Sequence, residues 1–143
     1  MQQNTLVFFD VAITTPLYLP LLGHRIAAGF PSPADDYLEG RIDPNELLIE
    51  NPAATFIAQV SGDSMKNAGI HDRDYIVVNR AAKWADGSIV VARIHDDFTL
   101  KRIRKVGDRV YLVPENPDFQ SIEVNEDSDC EIFGCVTGSF RKY

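Results

Sequence analysis

Ser64 and Lys101 are the two side chains whose types could together make an activated nucleophile. Ser64 lies in Ser61-Gly62-Asp63-Ser64-Met65, a small-residue stretch just past the strand-like run Thr55 to Val60. This is a place for an exposed hydroxyl, but a hydroxyl attacks poorly until a base takes its proton. A lysine can be that base if it is neutral. Its pKa must then fall by several units from about 10.4, and burial has that effect because desolvation disfavours the ammonium. Lys101 is the best candidate, within Phe98-Thr99-Leu100-Lys101-Arg102-Ile103. On a strand it shares a face with Thr99 and Ile103, half-buried, with the threonine hydroxyl able to orient the amine. Periodicity leaves other readings open: a solvent-facing lysine in a strand that also carries Arg102, Arg104 and Lys105, and a serine that merely caps a loop.

Other chemistries find less support. His24, His71 and His95 lie apart, none with a second ligand at useful spacing, so a metal site is not expected. His71 is seven residues from Ser64 across a loop, which fixes no geometry for a Ser-His pair. There is no G-x-S-x-G elbow and no phosphate-binding glycine loop. The S-x-x-K match at Ser139-Phe140-Arg141-Lys142 has no accompanying motif and reads as chance. Cys130 and Cys135 are five apart in an alternating segment, so their side chains are expected on opposite faces, as reduced thiols. No cofactor is implied.

The elements that must position the pair are mostly strands. The chain has 143 residues, 45% hydrophobic, enough for one core-forming domain. Strands are predicted at Thr55–Val60, Tyr75–Asn79, Ser88–Ile94, Phe98–Val106, Arg109–Val113, Ile122–Val124 and Glu131–Thr137. Turn residues separate them, including Gly107-Asp108 and Glu115-Asn116-Pro117. Seven short strands predict a mainly β, compact, barrel-like domain. One short helix is predicted after Asp43-Pro44, with Asp43 as N-cap, ending by Asn51-Pro52. Residues 1 to about 30 read as an extended arm. Leu6-Val7-Phe8-Phe9 and Val11-Ala12-Ile13 form short extended pieces, Pro16 and Pro20 oppose a helix, and Pro31-Ser32-Pro33 makes a stiff turn.

Charge narrows the partners. The balance of 14 Lys+Arg against 21 Asp+Glu gives a net charge of −7. That argues against a broad basic surface for duplex DNA, though not against a partner that binds DNA. No apolar run approaches a membrane span and the start lacks a basic signal region, so a cytoplasmic protein is expected.

Taken together, Ser61–Met65, Gly69-Ile70-His71-Asp72-Arg73-Asp74, Gly87-Ser88-Ile89-Val90-Val91-Ala92 and Phe98–Arg102 resemble the successive motifs of the LexA/UmuD self-cleaving serine peptidases. The resemblance runs from about Gly29 to Gly138. It implies a compact β domain with Ser64 as nucleophile and Lys101 as general base. It also implies an oxyanion hole from the backbone N–H groups of Asp63 and Ser64. The implied substrate is the chain's own Ala28-Gly29 bond, followed by Phe30-Pro31-Ser32-Pro33-Ala34-Asp35-Asp36-Tyr37. Residues 1–28 would be the removable arm and 29–143 the peptidase-like domain. Twenty-eight residues broken by prolines are too few for the helix-turn-helix of the repressor branch. The UmuD-like branch implies a homodimer cut under stimulation by the RecA filament in the SOS response. It would then serve as accessory subunit to a UmuC-type translesion polymerase, with the sliding clamp as a further partner. The same residues would also suit a binding module carrying an idle Ser-Lys pair.

Overall fold

The computed structural model describes residues 6–10, 16–22, 28–29 and 38–143. They belong to two units: Met1–Val11 with Asn51–Tyr143, and Ala12–Glu50.

The larger unit is built on one eight-stranded antiparallel sheet. Its strands are β1 (Leu6–Asp10), β4 (Thr55–Val60), β5 (Tyr75–Asn79), β6 (Ile89–Ile94), β7 (Asp97–Val106), β8 (Arg109–Val113), β9 (Ile122–Val124) and β10 (Cys130–Phe140). The order is β1-β4-β5-β10-β6-β7-β8-β9. All seven predicted strands form, with ends displaced by a residue or so except for β10, which runs three residues further. The length of β10 lets it bond β5 with one part and β6 with another, joining the two halves of the sheet. Gly107, at φ 60, makes the two-residue turn between β7 and β8, where Val106 pairs with Arg109. The predicted extended piece at Leu6–Phe9 is β1, which adds to the edge of β4 from Leu6↔Val60 to Asp10↔Phe56.

Two apolar clusters hold this sheet. One contains Ala58, Val60, Met65, Ile70, Ile76, Val78, Val91 and Leu100. The other contains Val90, Ala92, Ile103, Leu112 and Cys135. Val90 and Ala92 of β6 fall in one cluster and Val91 between them in the other, and Leu100 and Ile103 of β7, three apart, also divide, as strand alternation requires.

The cysteines depart from expectation. Both Cys130 and Cys135 pack on the second cluster. Between Ile132, paired with Ala92, and Gly134, paired with Val91, β10 carries an extra residue. This bulge resets the alternation, so an odd spacing ends on one face. A side chain at Gly134 would meet Val78 Cγ1 at 2.8 Å, and glycine there lets β10 close on β5. Both thiols are free, and burial pushes the pKa of each upward.

The smaller unit holds β2 (Leu19–Leu22) paired with β3 (Leu38–Ile42), and α1 (Pro44–Leu48). Asp43 caps α1 as predicted, its carboxylate accepting from Asn45 N–H at 3.0 Å. The helix stops at Ile49, and Pro52–Ala54 forms a separate 3-10 turn. Neither β2 nor β3 was expected from sequence. Pro20 sits within β2, which a two-stranded ribbon tolerates because each strand is an edge. The predicted piece at Val11-Ala12-Ile13 and the turn at Pro31-Ser32-Pro33 lie outside the described residues.

Candidate active site

Ser64 is placed by a tight segment after β4. Gly62 adopts φ 99, a left-handed conformation natural to glycine, and its N–H donates to Asp72 Oδ1 at 2.9 Å. Met65 then enters the first apolar cluster, 1% exposed, and Lys66–Ala68 forms a 3-10 turn. Anchoring Met65 in the core draws Ser64 inward. Its surface is wholly buried, where the sequence suggested an exposed hydroxyl.

Lys101 comes from the middle of β7, opposite Val90 of β6. It is more deeply buried than the half expected, at 6% exposed. Nζ lies 3.4 Å from Ser64 Oγ, 3.0 Å from Thr99 Oγ1 and 3.1 Å from the Leu100 carbonyl oxygen. No carboxylate is among these contacts. Burial lowers the Lys101 pKa from 10.5 to about 8.

Three neighbours suit a neutral amine well. It has two N–H donors, which Thr99 Oγ1 and the Leu100 carbonyl can accept. Its lone pair then faces the Ser64 hydroxyl. At 3.4 Å that contact is long for a hydrogen bond, as catalytic contacts often are without substrate.

A second segment ties the serine loop to the lysine strand. Beyond β8, the Glu115 carboxylate pairs with Arg102 Nε, and Arg102 Nη1 donates to the Gly87 carbonyl at 2.6 Å. The Glu115 carbonyl accepts from Asn67 N–H at 2.9 Å. Asn116, 5% exposed, donates from Nδ2 to the Asp63 carbonyl at 2.9 Å. An open hollow of about 290 Å³ beside this strap is lined by Asn67, Val113, Glu115, Asn116 and Phe119 among others. The sequence marked Glu115-Asn116-Pro117 only as a turn. Its one readable signal was an asparagine before Pro-Asp, and Asn116 Oδ1 does accept from Asp118 N–H at 3.0 Å.

The His71 side chain is exposed, while its backbone N–H donates to Asp74 Oδ2 at 2.8 Å. His95 lies in the β6–β7 turn, 3.7 Å from Asp129. His24 falls outside the described residues. Ser139 and Lys142 are exposed. Among the described residues no group of three His, Cys, Asp or Glu is placed to hold a metal ion, and no helix is long and apolar enough to cross a membrane. Ala28 and Gly29 are exposed residues of the smaller unit. Their neighbours 23–27 and 30–37 lie outside the described residues.

Residues 20–137 match the Peptidase S24-like family. Protein SamA of Salmonella typhimurium is 43% identical over 123 residues, covering 86% of this chain and 85% of SamA. Protein MucA of Escherichia coli is 43% identical over 126 residues, covering 87% of this chain and 86% of MucA. The LexA repressor of Erwinia tasmaniensis is 48% identical over 126 residues, covering 86% of this chain but 60% of the repressor. The family match takes in both the serine loop and the lysine strand, and on that extent the chain belongs to the Peptidase S24-like family, the LexA/UmuD group of self-cleaving serine peptidases.

Proposed function

We propose that the chain cuts its own Ala28-Gly29 bond, with Ser64 as nucleophile and Lys101 as general base. The observation that carries this reading is the approach of Lys101 Nζ to Ser64 Oγ, 3.4 Å, between two buried side chains. Neutral Lys101 takes the Ser64 proton as Oγ attacks the Ala28 carbonyl. The oxyanion that forms is held by the backbone N–H groups of Asp63 and Ser64. Lys101 returns the proton to the Gly29 nitrogen, and the Ala28-Gly29 bond breaks. A water, deprotonated by Lys101, then hydrolyses the Ala28 ester on Ser64. The products are residues 1–28 with a new carboxylate and residues 29–143 with a new amine.

Residue types at the bond suit this chemistry. Ala28 needs only a small pocket, and Gly29 allows close approach of backbone to the serine. Tethering raises the effective concentration of the bond, so modest recognition suffices.

The likeness to the UmuD-like branch extends the proposal to a cytoplasmic homodimer whose cutting is stimulated by a RecA filament on single-stranded DNA during the SOS response. The trimmed dimer would serve a UmuC-type translesion polymerase subunit, with the sliding clamp as a further contact. A net charge of −7 suits a protein that meets DNA through such partners.

The test is incubation of the purified chain with RecA, an ATP analogue and single-stranded DNA, and separately at alkaline pH. Loss of 28 N-terminal residues is expected in both, and in neither for Ser64→Ala or Lys101→Ala. A wild-type chain that stays whole beside a homologue that is cut would leave a binding module with an idle pair.

A further inference from the structure

We infer that Asn116 is a positioning residue for the oxyanion site, acting through the peptide between Asp63 and Ser64. This inference rests on the peptidase reading above and deepens it. A peptide unit is planar, and no cis bond occurs among the described residues, so the Asp63 carbonyl and the Ser64 N–H point in opposite directions within one rigid plane. Whatever holds that carbonyl therefore aims that N–H.

Two donors hold it. Asn116 Nδ2 donates to the Asp63 oxygen at 2.9 Å, and Lys66 N–H donates to the same oxygen at 3.2 Å. The Lys66 bond is local, three residues along, and would follow any rocking of the turn. The Asn116 bond comes from 53 residues away and is fixed to the sheet. Asn116 is itself held rigidly. It is buried, its Oδ1 accepts from Asp118 N–H at 3.0 Å, and its neighbour Glu115 is tied to Arg102 and to Asn67 N–H. The Asn116 amide thus uses a donor and an acceptor at once, which sets which way it faces.

The chemical consequence concerns preorganisation. An oxyanion donor works because it already points where charge will develop. Without the Asn116 bond the Asp63–Ser64 plane would be free to turn about its flanking dihedrals, and the Ser64 N–H would lose its fixed aim. Lys101 would be untouched, since its contacts are Thr99, Leu100 and Ser64.

The experiment uses the full-length chain and follows self-cleavage as a first-order rate from pH 7 to 11. Asn116→Asp keeps an oxygen for Asp118 N–H but turns a second acceptor toward the Asp63 carbonyl. Asn116→Ala removes the amide without adding charge. Both are expected to lower the limiting alkaline rate by about 10- to 100-fold. Asn116→Ala should leave the inflection of the pH profile where wild type has it, and thermal melting should show both variants folded at the assay temperature. A rate within twofold of wild type overturns the role. So does a loss explained by a moved inflection, or one that tracks only the unfolded fraction. Ser64→Ala is run alongside: if it is still cut, the peptidase reading itself fails. If it stays whole while Asn116→Asp cuts normally, the Asn116 role alone is lost.

Discussion

Lys101 Nζ stands 3.4 Å from Ser64 Oγ across 37 residues of chain, and its other polar contacts, Thr99 Oγ1 and the Leu100 carbonyl, are neutral acceptors. That difference governs how the pair should answer to pH. An anion beside Lys101 would hold it charged. Burial instead lowers its pKa from 10.5 to about 8.

Self-cleavage should follow the neutral fraction of Lys101. Below the inflection the rate should rise about tenfold per pH unit, levelling above pH of about 8. Lys101→Arg should be inactive throughout, because a guanidinium stays charged. Quantifying the 29–143 product over time at each pH gives the curve. A flat profile from pH 6 to 9 would remove Lys101 from the role of base.

The same shift makes a statement about folding. With a folded pKa of about 8 and an ordinary value of 10.5, the unfolded chain holds the Lys101 proton more tightly. Stability should therefore rise with pH between those values, by roughly 3 kcal/mol over the whole window. Below about pH 8 both states are charged and the burial cost is fully present. Urea unfolding of Ser64→Ala, which is expected to stay uncut, should show this gain. Ser64→Ala combined with Lys101→Met should not. Parallel stability curves for the two from pH 7 to 10.5 would contradict the buried, neutralisable lysine.

Asp74 and Arg141 make the opposite kind of pair. Arg141 Nε and Nη2 donate to Asp74 Oδ1 and Oδ2 at 2.6 and 2.8 Å, fastening the chain beyond β10 to the start of β5. The Asp74 side chain is 3% exposed, and the guanidinium holds its carboxyl below the usual 3.8. The stabilisation is present above pH of about 4 and lost as pH falls through the depressed folded value. Arg141→Leu should destabilise at pH 7, because it leaves the buried Asp74 carboxylate without its partner. The deficit should be smaller near about pH 2.5 than at pH 7. Thermal melts of both proteins at the two pH values check this, and an equal deficit at both would mean that packing, not charge, is lost.

How much of this was readable beforehand depended on the range of the interactions. Thr99, Lys101 and Ile103 share a face by strand alternation, which suggested a half-buried Lys101 but left a solvent-facing one open. Its nearly complete burial comes from packing the sequence does not display. The helix cap at Asp43 is local. The bulge in β10 is not, because it is set by Gly134 closing against Val78 and Asn79, far away in the chain. Asn116 looked like turn punctuation for the same reason: its role is a bond to a carbonyl 53 residues back. The strands β2 and β3 were hidden by Pro20 and by the polar composition of 34–40, which local propensity counts against a strand.

The pairing of β1 with β4 yields the last prediction. Val60 N–H and C=O bond the Arg73–Asp74 segment on the β5 side, so by alternation the amides of Ile57 and Gln59 face β1. A chain beginning at Gly29 lacks β1. Its β4 would become the edge of the sheet, with those two amides unpaired, while Phe56 and Ala58 stay bonded to β5. Amide hydrogen exchange should therefore speed up at Ile57 and Gln59 in the 29–143 chain relative to the full-length Ser64→Ala protein, and change little at Phe56 and Ala58. Adding back a peptide of residues 1–28 should restore slow exchange at the same two positions if β1 binds as an independent strand. Equal exchange at Ile57 and Gln59 in the long and short chains would mean that β1 does not protect β4 in solution.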